Sequence, residues 1–292
     1  SGSNQTFTYY VLPIPSVAPI NNQSYCHQTA VNATPINGSG TSYNWTNSNT
    51  SIGLVASGSN TVNAFNATNP GTSAISGNVN ITPIFTFQGQ SCNGPVGTYS
   101  ITVNPRPYVN ALNDTVICNN QNAAVNITTN IPANITWFAT QNANVNGELT
   151  TVQTNTFIND LLSNTSSVPQ SVTYTITPTT LAGCIGPDSF VVVQVQPDVL
   201  LNIPQNLEIC SGAGVNAILA ANIPSNFSWF CTVNNPNVSG ESLITNSGAV
   251  INDVLINNSN QNQLVVYSVT PTSIQGNCQG PSQTITVVVK PP

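Results

Sequence analysis

Val172-Thr-Tyr-Thr-Ile-Thr-Pro-Thr179, then Leu181-Ala-Gly-Cys-Ile-Gly-Pro187, then Phe190-Val-Val-Val-Gln-Val-Gln-Pro197 read together as a β-hairpin. Val172, Tyr174 and Ile176 alternate with Thr173, Thr175 and Thr177, the period of a strand with one covered face. The Gly- and Pro-bearing segment breaks the run and turns the chain. The Val-rich second run suits a pleated, partly covered surface. This unit, with a cysteine at its tip and a proline at its exit, occurs three times.

The recurrence is measurable. First cysteines stand at Cys26, Cys118 and Cys210, 92 residues apart at each step. Trp45, Trp137 and Trp229 each follow 19 residues later. Thr-Pro pairs at Pro83, Pro178 and Pro271 come next, then Cys-x-Gly-Pro at Cys92, Cys184 and Cys278. The exit prolines Pro105, Pro197 and Pro291 lie 13 residues beyond those cysteines. Such a period is too long for a solenoid and fits tandem β-sandwiches of about 100 residues.

The expected fold is therefore all-β, with three tandem immunoglobulin-like sandwiches at 14–105, 106–197 and 198–292. Each tryptophan is expected at the centre of its sandwich. Asn66 to Gly77 reads as loop, and Ile158 to Leu162 offers at most one helical turn. The linkers Asn104–Pro107 and Val195–Asp198 are short and proline-bearing, hence stiff, which predicts an extended rod. Residues 1–13 match the last strand of a repeat, because Pro13 precedes Cys26 by the same 13 residues that separate Pro105 from Cys118. They are either the end of a preceding repeat in a longer array or a donor strand for the edge of another molecule. With neither Met nor a signal peptide, the chain is taken as a processed product or an excised fragment.

Composition excludes several functions. Charged residues are 3% and the net charge is −6, with two basic residues in all. No basic stripe exists to neutralise phosphates, so nucleic acid and anionic membrane surfaces are not expected partners. No apolar run reaches the roughly 18 residues a membrane helix needs, so no membrane insertion is expected. Low charge invites a reading of disorder, but the alternating Val, Ile and Tyr runs argue against it.

The cysteines suggest an oxidising compartment and so a secreted, extracellular or cell-surface protein. The expected disulfides lie within each repeat: Cys26–Cys92, Cys118–Cys184 and Cys210–Cys278, at separations of 66, 66 and 68. Each would contribute about 4 kcal/mol through loop closure. A metal site lacks ligands around any of these pairs. Cys231 is the odd cysteine; it alternates with Trp229, so a buried free thiol is expected, with a cross-link to another chain as the alternative.

Catalytic constellations are sparse. His27 adjoins Cys26, but the matched positions are Asn119 and Ser211, and Cys26 is assigned to a disulfide. Asp160 and Asp253 recur after their tryptophans, as do Glu148 and Glu241, yet the first repeat has no counterpart. That falls short of the carboxylate pair of a glycosidase or the oxygen cage of calcium, so no catalytic site, metal or cofactor is expected. Tyr43, Phe138 and Phe230 flank the tryptophans and are expected to face the other way, where they could stack on sugars. Both basic residues, Arg106 and Lys290, precede proline, which leaves a trypsin-like enzyme without a good site.

Ile209-Cys-Ser-Gly, Phe227-Ser-Trp, Tyr267-Ser-Val-Thr-Pro-Thr, Cys278-x-Gly-Pro and Val287-Val-Val-Lys-Pro resemble the PKD-like, immunoglobulin-like repeats of large Bacteroidetes surface proteins. The second repeat matches through Tyr174-Thr-Ile-Thr-Pro-Thr and Cys184-x-Gly-Pro, and the first through Asn44-Trp-Thr-Asn-Ser-Asn and Ile81-Thr-Pro. The first carries Tyr25-Cys-His in place of the Ile-Cys-Ser-Gly opening. The resemblance implies stalk segments of adhesins or gliding-motility filaments exported by type 9 secretion. It implies neighbouring repeats or identical filament subunits as partners, with surface glycans as further candidates. Asp114-Thr115-Val116 resembles the O-glycosylation motif of that phylum, which marks Thr115. The alternatives are a glycan- or protein-binding adhesive module and the accessory repeats of a secreted hydrolase.

Overall fold

The computed structural model describes residues 5–292; residues 1–4, part of the opening segment singled out above, lie outside the described residues. The protein is all-β. Among the described residues, helical geometry is confined to one 3-10 turn at Thr50–Ile52, capped by Asn49 and closed by the left-handed Gly53. The turn expected at Ile158 to Leu162 is instead split between the strands Phe157–Ile158 and Leu161–Asn164. Pairing with Val125–Asn126 and with Gln121–Asn122 decides it, so tertiary partners override a weak local preference.

Two compact units make up the chain. The first runs to Asn110 and adds Thr128–Ile135 and Thr177–Asp188; the second comprises Ala111–Ile127, Thr136–Ile176 and Ser189–Pro292.

In the first unit, the main sheet has the order Gln23–Cys26, Gly97–Asn104, Ile75–Phe87, Ser42–Asn47, Ser57–Ser59. The opening pair is parallel, with Gln23 opposite Ile101 and Cys26 opposite Asn104. The others are antiparallel. Short ladders, Ala30–Val31 with Phe65–Asn66 and Thr34–Pro35 with Thr61–Val62, supply the second layer. Val31 and Val62 from these ladders share one core with Trp45, Val79, Ile81 and Ile101 from the sheet. The strand Ile75–Phe87 starts inside the expected loop, because Ile75, Ser76 and Gly77 pair with Val103, Thr102 and Ile101. It turns through Gln88-Gly89, both at positive φ (48° and 79°), as a two-residue hairpin demands, and returns as Gln90–Asn93.

The same sheet order recurs as Thr115–Ile117, Ser189–Val195, Gln170–Thr179, Asn134–Ala139, and again as Asn206–Cys210, Gln283–Lys290, Gln263–Ser273, Ser225–Cys231. Each opens with a parallel pair. The hairpin read from sequence is present, with Val172 opposite Val193 and Ile176 opposite Ser189. Its alternation is strict: Val172, Tyr174 and Ile176 are fully buried while the threonines between them are half-covered. Trp45, Trp137 and Trp229 are buried in all three cores. Trp137 meets Tyr174 edge-on at 5.7 Å, and Trp229 meets Tyr267 at 5.9 Å.

A buried asparagine fixes each exit. Asn69, Asn164 and Asn257 are at most 5% exposed. Each donates from Nδ2 to a carbonyl of the following turn (Ser73, Val168, Gln261) and to a carbonyl of the last strand (Val103, Val195, Val289) at 2.7–2.9 Å. Its Oδ1 accepts from Gly71, Ser166 or Ser259. The last-strand carbonyl lies two residues before the exit proline, so the amide pins the chain just before it leaves the sandwich. Asn257→Ala would take the side-chain donor from the buried Val289 carbonyl, while the Gln261 carbonyl keeps the Ser259 hydroxyl. We expect it to lower the unfolding free energy by about 3 kcal/mol, against less than about 0.5 for the exposed neighbour Asn258→Ala, as read by urea titration.

Candidate functional site

The cysteines follow from the parallel strand pair. Because the first strand runs in the direction of the last, the cysteine that ends it reaches the exit end of the sheet, as Cys26 opposite Asn104 and Cys210 opposite Lys290. The tip cysteine precedes the last strand and sits at the other end. Eight residues of strand, Gly97–Asn104, separate those ends by about 25 Å. A disulfide spans Cα atoms only about 4.4–6.8 Å apart. The expected pairs Cys26–Cys92, Cys118–Cys184 and Cys210–Cys278 are therefore corrected.

The structure bonds Cys26 to Cys184, with Cα atoms 5.5 Å apart, and Cys118 to Cys278, at 5.4 Å. Each bridge joins the exit end of one repeat to the hairpin tip of the next. Cys92, Cys210 and Cys231 are free. Only Cys231 of these was expected to be so. It is 3% exposed, donates to the Val233 carbonyl at 3.2 Å, and burial pushes its thiol pKa up.

The Cys-x-Gly-Pro motif acquires a physical reason at these junctions. A Cβ on Gly94, Gly186 or Gly280 would come within 1.8–2.2 Å of the backbone carbonyl oxygen of Pro15, Pro107 or Val199. Those residues lie two positions past Pro13, Pro105 and Pro197. The glycine thus lets the tip of each repeat close over its own incoming linker. Around the second bridge, Val199, Ile223 and Cys278 form a small buried cluster with Cys118 and Ala221 packed on it. Cys278 is 4% exposed within this cluster, and Cys184 at the first bridge is 0% exposed.

Beside the first bridge lies a cavity of about 360 Å³, lined by His27, Gln28, Asn69, Arg106 and Tyr108 among others. His27 accepts the Asn69 amide at Nδ1 (2.9 Å), and Arg106 donates to Gln28 at 3.4 Å. With Cys26 bonded, His27 has no thiol to activate.

The carboxylates serve as local hydrogen-bond acceptors. Asp160 takes the Leu149 amide and the Tyr174 hydroxyl at 2.9 and 3.0 Å. Asp253 takes the Ser242 amide and the Tyr267 hydroxyl, both at 2.7 Å. Burial first, and the facing carboxylate second, raise both tyrosine pKa values far above the ordinary range. Glu148 and Glu241 accept the amides of Asn142 and Asn235. Glu208 pairs with Lys290 at 2.9 Å on the surface. Among the described residues, no three His, Cys, Asp or Glu side chains gather as a metal site would require.

Phe138 and Phe230 do face outward, at 38% and 37% exposure. Tyr43 does not. It stands two residues from Trp45, hence on the same strand face, and is 7% exposed with its hydroxyl accepting the Gly40 amide. Thr115 lies half-buried in the strand Thr115–Ile117, and Asp114 accepts the Val192 amide at 2.8 Å. The asparagine clasps escaped the sequence reading, because asparagine is too common in this chain for three of them to stand out.

The sheets and their junctions define a protein of tandem immunoglobulin-like β-sandwiches. The PKD-like domain family matches residues 115–199 and 207–292, more than half of the sequence, and the chain belongs to that family. Among curated proteins none matches. Similar solved structures include an I-band fragment of titin, at 12% identity over 97% of this chain and 100% of that one, with a TM-score of 0.45. Mouse cadherin-23 EC22-24 is 11% identical over 95% of this chain and 98% of that one, with a TM-score of 0.39. The N-terminal eight Ig domains of Down Syndrome Cell Adhesion Molecule are 10% identical over 96% of this chain and 37% of that one, with a TM-score of 0.44.

Peptide mapping under non-reducing conditions, with pepsin, should recover Cys26 linked to Cys184 and Cys118 linked to Cys278. Recovery of Cys26 linked to Cys92 would overturn the junction assignment.

Proposed function

We propose that the chain is a non-catalytic, tension-carrying segment of a secreted cell-surface stalk or filament, of the kind the sequence resembles in Bacteroidetes surface proteins. Its partners are neighbouring repeats or identical subunits. One observation carries this reading: each disulfide fastens a repeat to the next one and leaves the interior of each sandwich uncrosslinked. A bond placed there does little for a lone domain and much for an array under load. The bridges close loops of 158 and 160 residues, each contributing about 5 kcal/mol in the chain-entropy model. Persistent disulfides support export to an oxidising compartment.

The two loops overlap between Cys118 and Cys184. With both bridges closed, the shortest covalent path from Cys26 to Cys278 runs through 66 residues; with both reduced it runs through 252. Single-molecule extension should therefore gain about 650 Å of contour length when reductant is added, at about 3.5 Å per residue. Equal contour lengths in both conditions would sink the tension-carrying role.

A further inference from the structure

We propose that the cavity beside the first bridge binds an acidic sugar, a hexuronate, and holds it by its carboxylate. The proposal goes beyond the stalk reading and does not depend on it. The chain has one arginine and one histidine, and both line this cavity of about 360 Å³. That volume falls in the range of small-molecule sites.

The cavity has more donors than the protein itself occupies. Among the described residues, the ion pair formed is that of Lys290 with Glu208, which leaves Arg106 without a carboxylate. Its Nη1 donates to Gln28 over a long 3.4 Å, and its Nε is buried with no partner. Buried donors are seldom left so. His27 receives the Asn69 backbone amide at Nδ1, which puts the ring proton on Nε2. Asn130 accepts the Tyr108 amide at Oδ1 and so keeps its Nδ2 for donation. No aspartate or glutamate lines the cavity. A guanidinium among neutral N–H donors, with no anion of its own, selects an anionic ligand, and a planar carboxylate matches its fork.

The rest of the lining favours a sugar over an acidic peptide. Tyr108 is 53% exposed and is held in place, since it and Asn130 exchange two bonds: the Tyr108 amide to Asn130 Oδ1 at 2.8 Å and the Asn130 amide to the Tyr108 carbonyl at 3.1 Å. A fixed, open aromatic face beside a cation accepts the C–H face of a sugar ring while its carboxylate is gripped. Pro70, Pro107 and Pro187 supply further wall. They have no N–H to offer the main chain of a peptide, whose docking relies on such bonds.

The second junction is an internal comparison. Its backbone is built the same way. Leu200 and Asn222 exchange the same two bonds, at 2.8 and 3.0 Å, and Gly280 closes on Val199 as Gly186 closes on Pro107. The chemistry is not the same. Ninety-two residues on, Asp198 stands for Arg106, Asn119 for His27 and Leu200 for Tyr108. The cation, the imidazole and the aromatic face are all absent from that place, and a carboxylate takes the cation's position. Junction geometry therefore does not require these three residues, and a ligand does.

Saturation-transfer NMR on the 292-residue chain would use D-galacturonate as the probe, with galactose, which lacks the carboxylate, and tetraglutamate as comparisons. Galacturonate should bind at least about tenfold more tightly than galactose, as one charge-assisted hydrogen bond provides. Arg106→Gln should weaken it by at least about tenfold. Tyr108→Leu, which installs the residue of the second junction, should weaken it several-fold, and Asp198→Asn should leave it unchanged. Urea titration checks that each variant is folded. Absent galacturonate binding, or equal binding of galactose, overturns the proposal. So does binding that survives Arg106→Gln or is indifferent to Tyr108→Leu. Tetraglutamate bound more tightly than galacturonate, and lost in Arg106→Gln, overturns the sugar assignment in favour of an acidic peptide. None of these results touches the redox-dependent extension of the chain, so failure here is distinguishable from failure of the stalk reading.

Discussion

The parallel pairing of the first strand with the last governs the rest of this structure. A hairpin-only sandwich would return each cysteine toward its neighbours in sequence. Here Gln23–Cys26 lies along Gly97–Asn104 in the same direction, so Cys26 is carried to the end of the sheet where the chain departs. The tip cysteine is held at the opposite end. The length of one strand then forbids a bridge inside a repeat, and the cysteine that each bonded exit end meets is the tip of the following repeat. The glycine of Cys-x-Gly-Pro completes the geometry, since it lets the tip press against the linker that brings the chain in.

With 3% charged residues, the chain does with amides and hydroxyls what other proteins do with ion pairs. The three buried asparagines tie turn to last strand, and each satisfies its donors and its acceptor in the process. That matters energetically because a buried amide is costly when unpaired and modestly favourable when paired. The carboxylates that remain are spent on the same task. Asp160 and Asp253 each receive a backbone amide and a tyrosine hydroxyl, which anchors a loop to the central strand. Side chains so fully engaged are poorly placed to act as general acids or metal ligands.

Much of this was legible in the sequence. Alternation gave the strands, turn residues gave the hairpins, and the fixed spacing of cysteine, tryptophan, Thr-Pro and exit proline gave the repeat. The disulfide partners were not, because spacing within a repeat is the same whether a bridge closes inside it or across the junction. Only strand direction separates the two, and direction is a long-range property that no local pattern carries. Tyr43 was misplaced for a simpler reason: its distance of two from Trp45 puts it on the core face. The first repeat departs furthest from its siblings. Its long hairpin ends in the Gln88-Gly89 turn, and its acidic loop anchor is replaced by Asn47, which bonds the carbonyls of Asn49 and Leu54.

On the proposed stalk reading, the staples would also decide how a sandwich meets force. Under a pull carried by the two bridges, tension would enter the middle repeat at Cys184 and leave at Cys118. Cys184 leads into the start of Ser189–Val195, and Cys118 follows the end of Thr115–Ile117. These two strands are paired in parallel, with Thr115 opposite Val193 and Ile117 opposite Val195. Pulling the first strand by its end and the last strand by its start drives them past each other along their common axis. Their ladder is then loaded in shear, where its hydrogen bonds must yield together, and not as a zipper, where they yield one at a time. Bridges inside each repeat would have relieved the ladder of this load and left the junctions to the linkers alone. Placed across the junctions, they would route an applied pull through a strand pair whose parallel ladder is loaded in shear.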